Sequence, residues 1–113
     1  MRALPLLLLL SLPLSAQSTS RVSRHSDRST MDRDLMEVTV NRLQELYRQH
    51  RYTVAQVVQW HLDRIARYNG IYRAVQTVNA KNALAEAARE DAEASRPGFR
   101  PGLLWGVPIV LPV

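Results

Sequence analysis

Apolar residues recur at helical spacing along two stretches of this chain. In the first, Leu35, Met36, Val40, Leu43, Leu46 and Tyr47 share one side, while Glu37, Asn41, Gln44, Glu45 and Arg48 share the other. This spacing predicts an amphipathic helix from Leu35 to about His50, capped by Asp34. In the second, Val54, Val57, Val58, Leu62, Ile65 and Tyr68 form the apolar stripe, and Gln56, Gln59, Asp63 and Arg67 the wet side. Thr53-Val54-Ala55-Gln56 marks its start as a capping box, in which the Thr hydroxyl and the Gln amide satisfy orphan backbone donors reciprocally. Asn69-Gly70 marks its end, because both residues tolerate positive φ.

The period then changes. Tyr72 to Val78 alternates and carries β-branched residues, which predicts a short strand. Asn79 caps a third helix from Ala80 to about Ser95, whose inner stripe is Ala83, Leu84, Ala87, Ala88 and Asp91. A buried carboxylate without a partner is costly, so Asp91 is read as a structural acceptor for backbone N–H groups or an arginine. Two Pro-Gly pairs make Arg96 to Gly102 a turn-rich loop. Leu103 to Leu111 is almost wholly apolar, with Gly106 and Pro108 inside it, and reads as a strand buried on both faces. Such a strand needs a sheet with neighbours and covering helices. The order helix–helix–strand–helix–strand therefore predicts an α/β fold over residues 34–113, the opening portion of a larger mixed-sheet domain and incomplete in this chain.

The beginning of the chain follows another logic. Met1-Arg2 is positive, Ala3 to Leu14 is apolar apart from Ser11, and small residues follow at Ser15, Ala16 and Ser18. This is the layout of a secretory signal peptide, with cleavage after Ala16 or after Ser18. A run that short falls below the ~20 residues of a spanning helix, so no permanent membrane anchor is expected and the mature protein is expected to be secreted. Residues 17–33 are rich in Ser, Thr, Arg and Asp and nearly free of apolar residues, which predicts a disordered linker.

Composition narrows the chemistry. The 113 residues include no cysteine, which excludes disulfides, thiolate metal sites and cysteine nucleophiles. Four well-separated glycines cannot form a phosphate-cradling loop. The formal charge of +5 comes almost entirely from scattered arginines, with Lys81 the single lysine. That scatter gives no basic face for nucleic acid, and no nucleic-acid partner is expected. His25, His50 and His61 lie too far apart to supply a helical ligand pair, and His61 falls on an apolar stripe as a core histidine would. Asp63 and Glu45 each sit on a polar helix face, where solvated charge outweighs an acid–base pair. Trp60 and Trp105 are read as core residues.

Four segments together resemble the amidase signature family. Thr53 to Asn69, ending in Arg64-Ile65-Ala66-Arg67-Tyr68-Asn69, looks like the Thr/Ser-capped helix near the family's start. Tyr72 to Asn79 is similar to its short strand, and Ala83 to Ala92 to its Ala-rich helix with an Asp at the end. Gly102-Leu103-Leu104-Trp105-Gly106-Val107-Pro108-Ile109-Val110-Leu111 resembles its Gly-Pro-Leu-x-Gly-Ile-Pro strand, with Leu103 at the family's Pro and Trp105 where His is frequent. The resemblance covers Leu35 to Leu111.

It implies a hydrolase of carbon–nitrogen amide bonds that uses a Ser nucleophile, a second Ser with a cis peptide bond, and a Lys base whose pKa desolvation lowers. The family's Lys follows the Gly-Ile-Pro strand directly; the matching position here is Pro112, followed by Val113, and Lys81 matches nothing catalytic. No catalytic, cofactor-binding or metal-ligating residue is therefore assigned, and no cofactor is expected. The expectation is an N-terminal fragment of a secreted amidase-family hydrolase, inactive alone, whose complete form acts on a small-molecule amide. The truncation is either real or a gene-model error after Leu111, and the sequence leaves the substrate and the oligomeric state open. Two other readings stand beside it: a basic helical binding module, and a pseudoenzyme segment that pairs with a full-length relative.

Overall fold

The computed structural model describes residues 19–112. The expected signal peptide, residues 1–16, lies outside the described residues. The chain divides into two compact units, with the boundary between Asp34 and Leu35. In order, the elements are α1 (Thr19–Leu35), α2 (Val40–Arg48), α3 (Val54–Tyr72) and α4 (Ala80–Ala94).

No strand occurs among the described residues, which corrects the α/β mixed-sheet expectation. Of the two expected strands, Tyr72 is instead the last residue of α3 and 73–79 is a loop; Leu103–Gly106 is a turn, and 107–112 has no regular secondary structure. The physical reason is partnership. A strand exists only when a neighbour takes its N–H and C=O groups, and β-branched alternation cannot supply one. Asn69 fills part of that role from a side chain: its Nδ2 donates to the Val75 carbonyl at 2.7 Å and its Oδ1 accepts the Val75 N–H at 2.9 Å. The loop is thereby held by a two-bond clamp that mimics one rung of a ladder.

The helix boundaries also differ from the pattern at three places. Thr19–Leu35 is helical across most of the segment expected to be a disordered linker. Ser29 and Thr30 hydroxyls there both return hydrogen bonds to the Ser26 carbonyl, a local satisfaction that hydropathy does not register. The helix expected to run unbroken from Leu35 is interrupted at Met36-Glu37, where Glu37 adopts φ 55°, and Thr39, not Asp34, caps α2 by accepting the Arg42 N–H at 3.2 Å. The apolar stripe crosses that break unnoticed because its spacing is preserved on both sides. Finally, α3 passes through Asn69-Gly70 and ends at Tyr72, with Arg73 as its left-handed cap at φ 48°.

Other expectations hold. The capping box at Thr53 forms in both directions, with Gln56 N–H donating to Thr53 Oγ1 at 3.2 Å and Thr53 N–H to Gln56 Oε1 at 2.9 Å. Asn79 caps α4, accepting the Asn82 N–H at 3.3 Å. Within the second unit α3 packs along α4. Leu35, Leu43, Leu46, Tyr47, Val54, Val57, Trp60 and Ala87 are buried there, a small core by any standard. With so little apolar area removed from water, polar contacts must share in fixing the arrangement.

Candidate functional site

Asp91 supplies the first of those contacts. It stands on α4, and its Oδ1 accepts the Val54 N–H at 2.8 Å while its Oδ2 accepts the Ala55 N–H at 3.0 Å. These are the first two donors of α3, which no intrahelical carbonyl can take. The carboxylate also meets the positive end of the α3 dipole. Asp91 is therefore the structural acceptor expected from its place on the inner stripe, and it fixes the angle between α3 and α4.

A second set of contacts seats the stretch after α4. Gly106, at φ 71°, gives its carbonyl to the Tyr47 hydroxyl at 2.6 Å and its N–H to the Glu90 carboxylate. Next to it, Gln44 Nε2 donates to the Trp105 carbonyl at 2.8 Å. The Trp105 ring is edge-on to Tyr47 (centroids 5.2 Å, 69°) and to Phe99 (5.3 Å, 64°), and its indole N–H is buried with no partner among the described residues. Trp105 is thus packed between two aromatic rings, in keeping with its reading as core. Burial pushes the Tyr47 phenol well above its usual range, with the charge of Asp91 adding to the effect. The hydroxyl accordingly serves as a donor at any physiological pH. Gly106 inside the apolar run was the sequence signal for such a close approach; Tyr47, Gln44 and Glu90 carried none.

Between α3, α4 and this seated stretch lies a groove of about 730 Å³. Val58, His61 and Ile65 of α3 face Ala83, Glu86 and Glu90 of α4 across it, and Val107 to Val110 closes one side. His61 is half-buried, tilted against Trp60 at 4.9 Å between centroids. Burial first, and the Arg64 charge second, hold its pKa below 6.5, so the ring is neutral at pH 7. The Arg64 guanidinium lies over the rings of Trp60 (4.9 Å) and Tyr68 (5.1 Å). Burial raises the pKa of Glu90, offset in part by the Gly106 N–H it accepts. A neutral imidazole and a carboxyl on apolar walls can orient a bound group by hydrogen bonding. Nucleophilic catalysis would need a hydroxyl beside a base as well.

The remaining residues that the sequence singled out are apart from this groove. Lys81 is exposed in the first turn of α4, His25 is exposed on α1, and His50 is exposed at φ 52° beyond α2. Glu45 accepts from Arg48 and Gln49, and Asp63 accepts from Gln59 at 2.8 Å, so both belong to polar helix faces as their spacing indicated. Among the described residues no group of three or more His, Asp or Glu side chains could hold a metal ion, and no helix is long and apolar enough to cross a membrane.

A two-helix scaffold with a polar-capped groove and an attached apolar extension defines a structural module more clearly than a reaction centre. Comparison with known proteins supplies the next step. No family model matches the chain, and no solved structure matches it. Over 75 residues it is 39% identical to a glutamyl-tRNA(Gln) amidotransferase subunit of Alkaliphilus metalliredigens (strain QYMF). The aligned stretch is 66% of this chain and 15% of that relative's length. The similarity is to an amidase-signature protein of amide-bond chemistry, and it agrees in kind with the resemblance carried by the four segments.

Proposed function

We propose that this chain is the N-terminal helical scaffold of an amidase-signature enzyme acting on a carbon–nitrogen amide bond. The observation that carries the reading is the 39% identity over 75 residues to the Alkaliphilus amidotransferase subunit. The Asp91 contacts support it, because they occur where the resembling Ala-rich helix ends in an Asp and give that residue a physical task. In this reading hydrolysis rests on the Ser, cis-Ser and Lys mechanism of the family, and these 113 residues contribute none of the three groups. Lys81 is exposed to water on α4, outside the dry setting that a lysine base requires. The chain alone is accordingly without amidase activity. The substrate of the complete enzyme is a small-molecule amide, and the Met1-to-Ser18 pattern directs it to export.

A chimera tests the family reading. The matching 75-residue stretch of the Alkaliphilus protein is replaced by this chain's residues, and amidation of glutamyl-tRNA(Gln) is measured. A soluble chimera that retains transfer supports a shared scaffold. A chimera that does not fold, when the parent does, counts against it. N-terminal sequencing of secreted material tests export, and a mature chain still starting at Met1 would remove it.

A further inference from the structure

Asn69 carries two chemistries that oppose one another. Of the four asparagines it alone precedes a glycine; Asn41, Asn79 and Asn82 are followed by Arg42, Ala80 and Ala83. In an Asn-Gly pair the glycine nitrogen can attack the asparagine side-chain amide with little hindrance, because no Cβ crowds the ring that forms. The same amide makes the clamp on the loop after α3, with Nδ2 donating to the Val75 carbonyl at 2.7 Å and Oδ1 accepting the Val75 N–H at 2.9 Å. Engaged on both polar atoms, the side chain is held on Val75 and withheld from its own main chain. The helix adds a second restraint. Gly70 lies inside α3, where N–H groups are donated to carbonyls four residues back and helical φ and ψ oppose closure of the ring.

Both restraints sit at the end of α3 that gives way most easily. Asn69 and Gly70 begin its last turn, and helices open from their ends. Glycine is among the poorest helix formers. The residue that caps the turn, Arg73, holds a side chain in left-handed backbone at φ 48°, a strain that opening relieves. Gly70 is also exposed, so water reaches the pair directly.

We propose that Asn69-Gly70 is a spontaneous deamidation site gated by the Val75 clamp. When the last turn opens, the Gly70 nitrogen gives its proton to hydroxide and attacks Asn69 Cγ. The bond from Cγ to the side-chain nitrogen breaks, and that nitrogen takes up a proton and leaves as ammonia, closing a cyclic imide. Water then opens the imide at either carbonyl, giving aspartate or isoaspartate; overall one water is consumed and one ammonia released. In either product a carboxylate replaces the Nδ2 donor. Aspartate sets acceptor against acceptor at the Val75 carbonyl and puts negative charge at the negative end of the α3 dipole. Isoaspartate lengthens the main chain within the turn. The clamp does not re-form, so conversion releases the 73–79 loop irreversibly. Val75 also lines the groove between α3 and α4, which the release therefore reshapes. None of this depends on the amide-bond reading.

The test incubates the 113-residue chain at neutral and mildly alkaline pH, folded and in urea, and follows conversion of each asparagine by peptide mass mapping with isoaspartate detection. Asn69 converts ahead of Asn41, Asn79 and Asn82, and faster at the higher pH. Loss of two Val75 bonds sets the gate, so the folded chain converts about tenfold to a hundredfold more slowly than the unfolded one. Gly70→Ala stops conversion and keeps the fold by far-UV circular dichroism, since a Cβ there meets nothing within 4 Å. Converted chains separated by charge, and the Asn69→Asp variant, exchange the Val75 amide faster than the parent. A folded chain that never converts overturns the proposal, as does equal conversion folded and unfolded, or no preference for Asn69. Undiminished conversion in Gly70→Ala, or unchanged Val75 exchange in the separated converted chains, overturns it equally.

Discussion

Replacing Gly106 by alanine separates two costs that the fold places on one residue. A Cβ built there would lie 2.6 Å from Tyr47 Cε2, 3.1 Å from Tyr47 Cζ and 3.1 Å from Val54 Cγ2. Val54 and Tyr47 are both buried, and Tyr47 is tied by its hydroxyl to the Gly106 carbonyl, so neither ring nor methyl can retreat cheaply. Overpacking of this kind costs about 1–3 kcal/mol. Left-handed backbone adds about 1–2 kcal/mol for a residue with a Cβ. Together they predict a loss of about 2–5 kcal/mol. Gly98 is the internal control. Its φ is 77°, close to that of Gly106 at 71°, but a Cβ there meets nothing within 4 Å. Gly98→Ala therefore carries the backbone cost alone, about 1–2 kcal/mol. Urea unfolding followed by tryptophan fluorescence measures both, since Trp105 is packed against Tyr47 and reports the seating directly. If Gly106→Ala proves no worse than Gly98→Ala, the close approach of Tyr47 is not what holds the stretch in place.

Further outcomes follow from the same contacts. Asp91→Ala strips the acceptor from two donors at the start of α3, one of them on buried Val54, and is expected to cost about 2–4 kcal/mol, with faster amide exchange at Val54 and Ala55; unchanged exchange there would dismiss the cap. His50 follows α2 in a left-handed conformation, with its own N–H bonded to the Tyr47 carbonyl and the Arg51 N–H to the Leu46 carbonyl, so His50→Gly should stabilise by about 1 kcal/mol in the same urea assay, and a destabilised variant would contradict that geometry. Because the His61 pKa is lower in the folded chain than its ordinary 6.5, the unfolded chain binds the extra proton first, and stability falls as pH drops through that value toward the folded one. Glu90 and Glu86 border the same groove from α4, and the raised pKa of Glu90 acts in the opposite sense near and above 4.5, so the readout is the difference between wild type and His61→Gln. Thermal melts from pH about 7.5 to about 5.5 should show the steeper decline in wild type, and parallel curves would exclude His61 as the cause.

The sequence by itself determined what local physics decides. The capping box at Thr53, the Asn79 cap and the amphipathic stripe of α3 all involve residues within a turn of one another, and each is present. The polar faces holding Glu45 and Asp63 follow from the same periodicity. Asp91 was legible as a structural acceptor because burial forbids a free carboxylate, though its partners, 36 and 37 residues away, were not. Tertiary structure decided the rest. Apolar alternation in Tyr72–Val78 and Leu103–Leu111 specified a surface that strands favour, but a ladder needs a second backbone, and among the described residues no partner stands there. Side chains took over instead: Asn69 clamps Val75, while Tyr47 and Glu90 hold Gly106, pairings 6, 59 and 16 residues apart in the chain. A local pattern can state what a segment would bury; only the arrangement of distant segments determines whether anything is there to cover it.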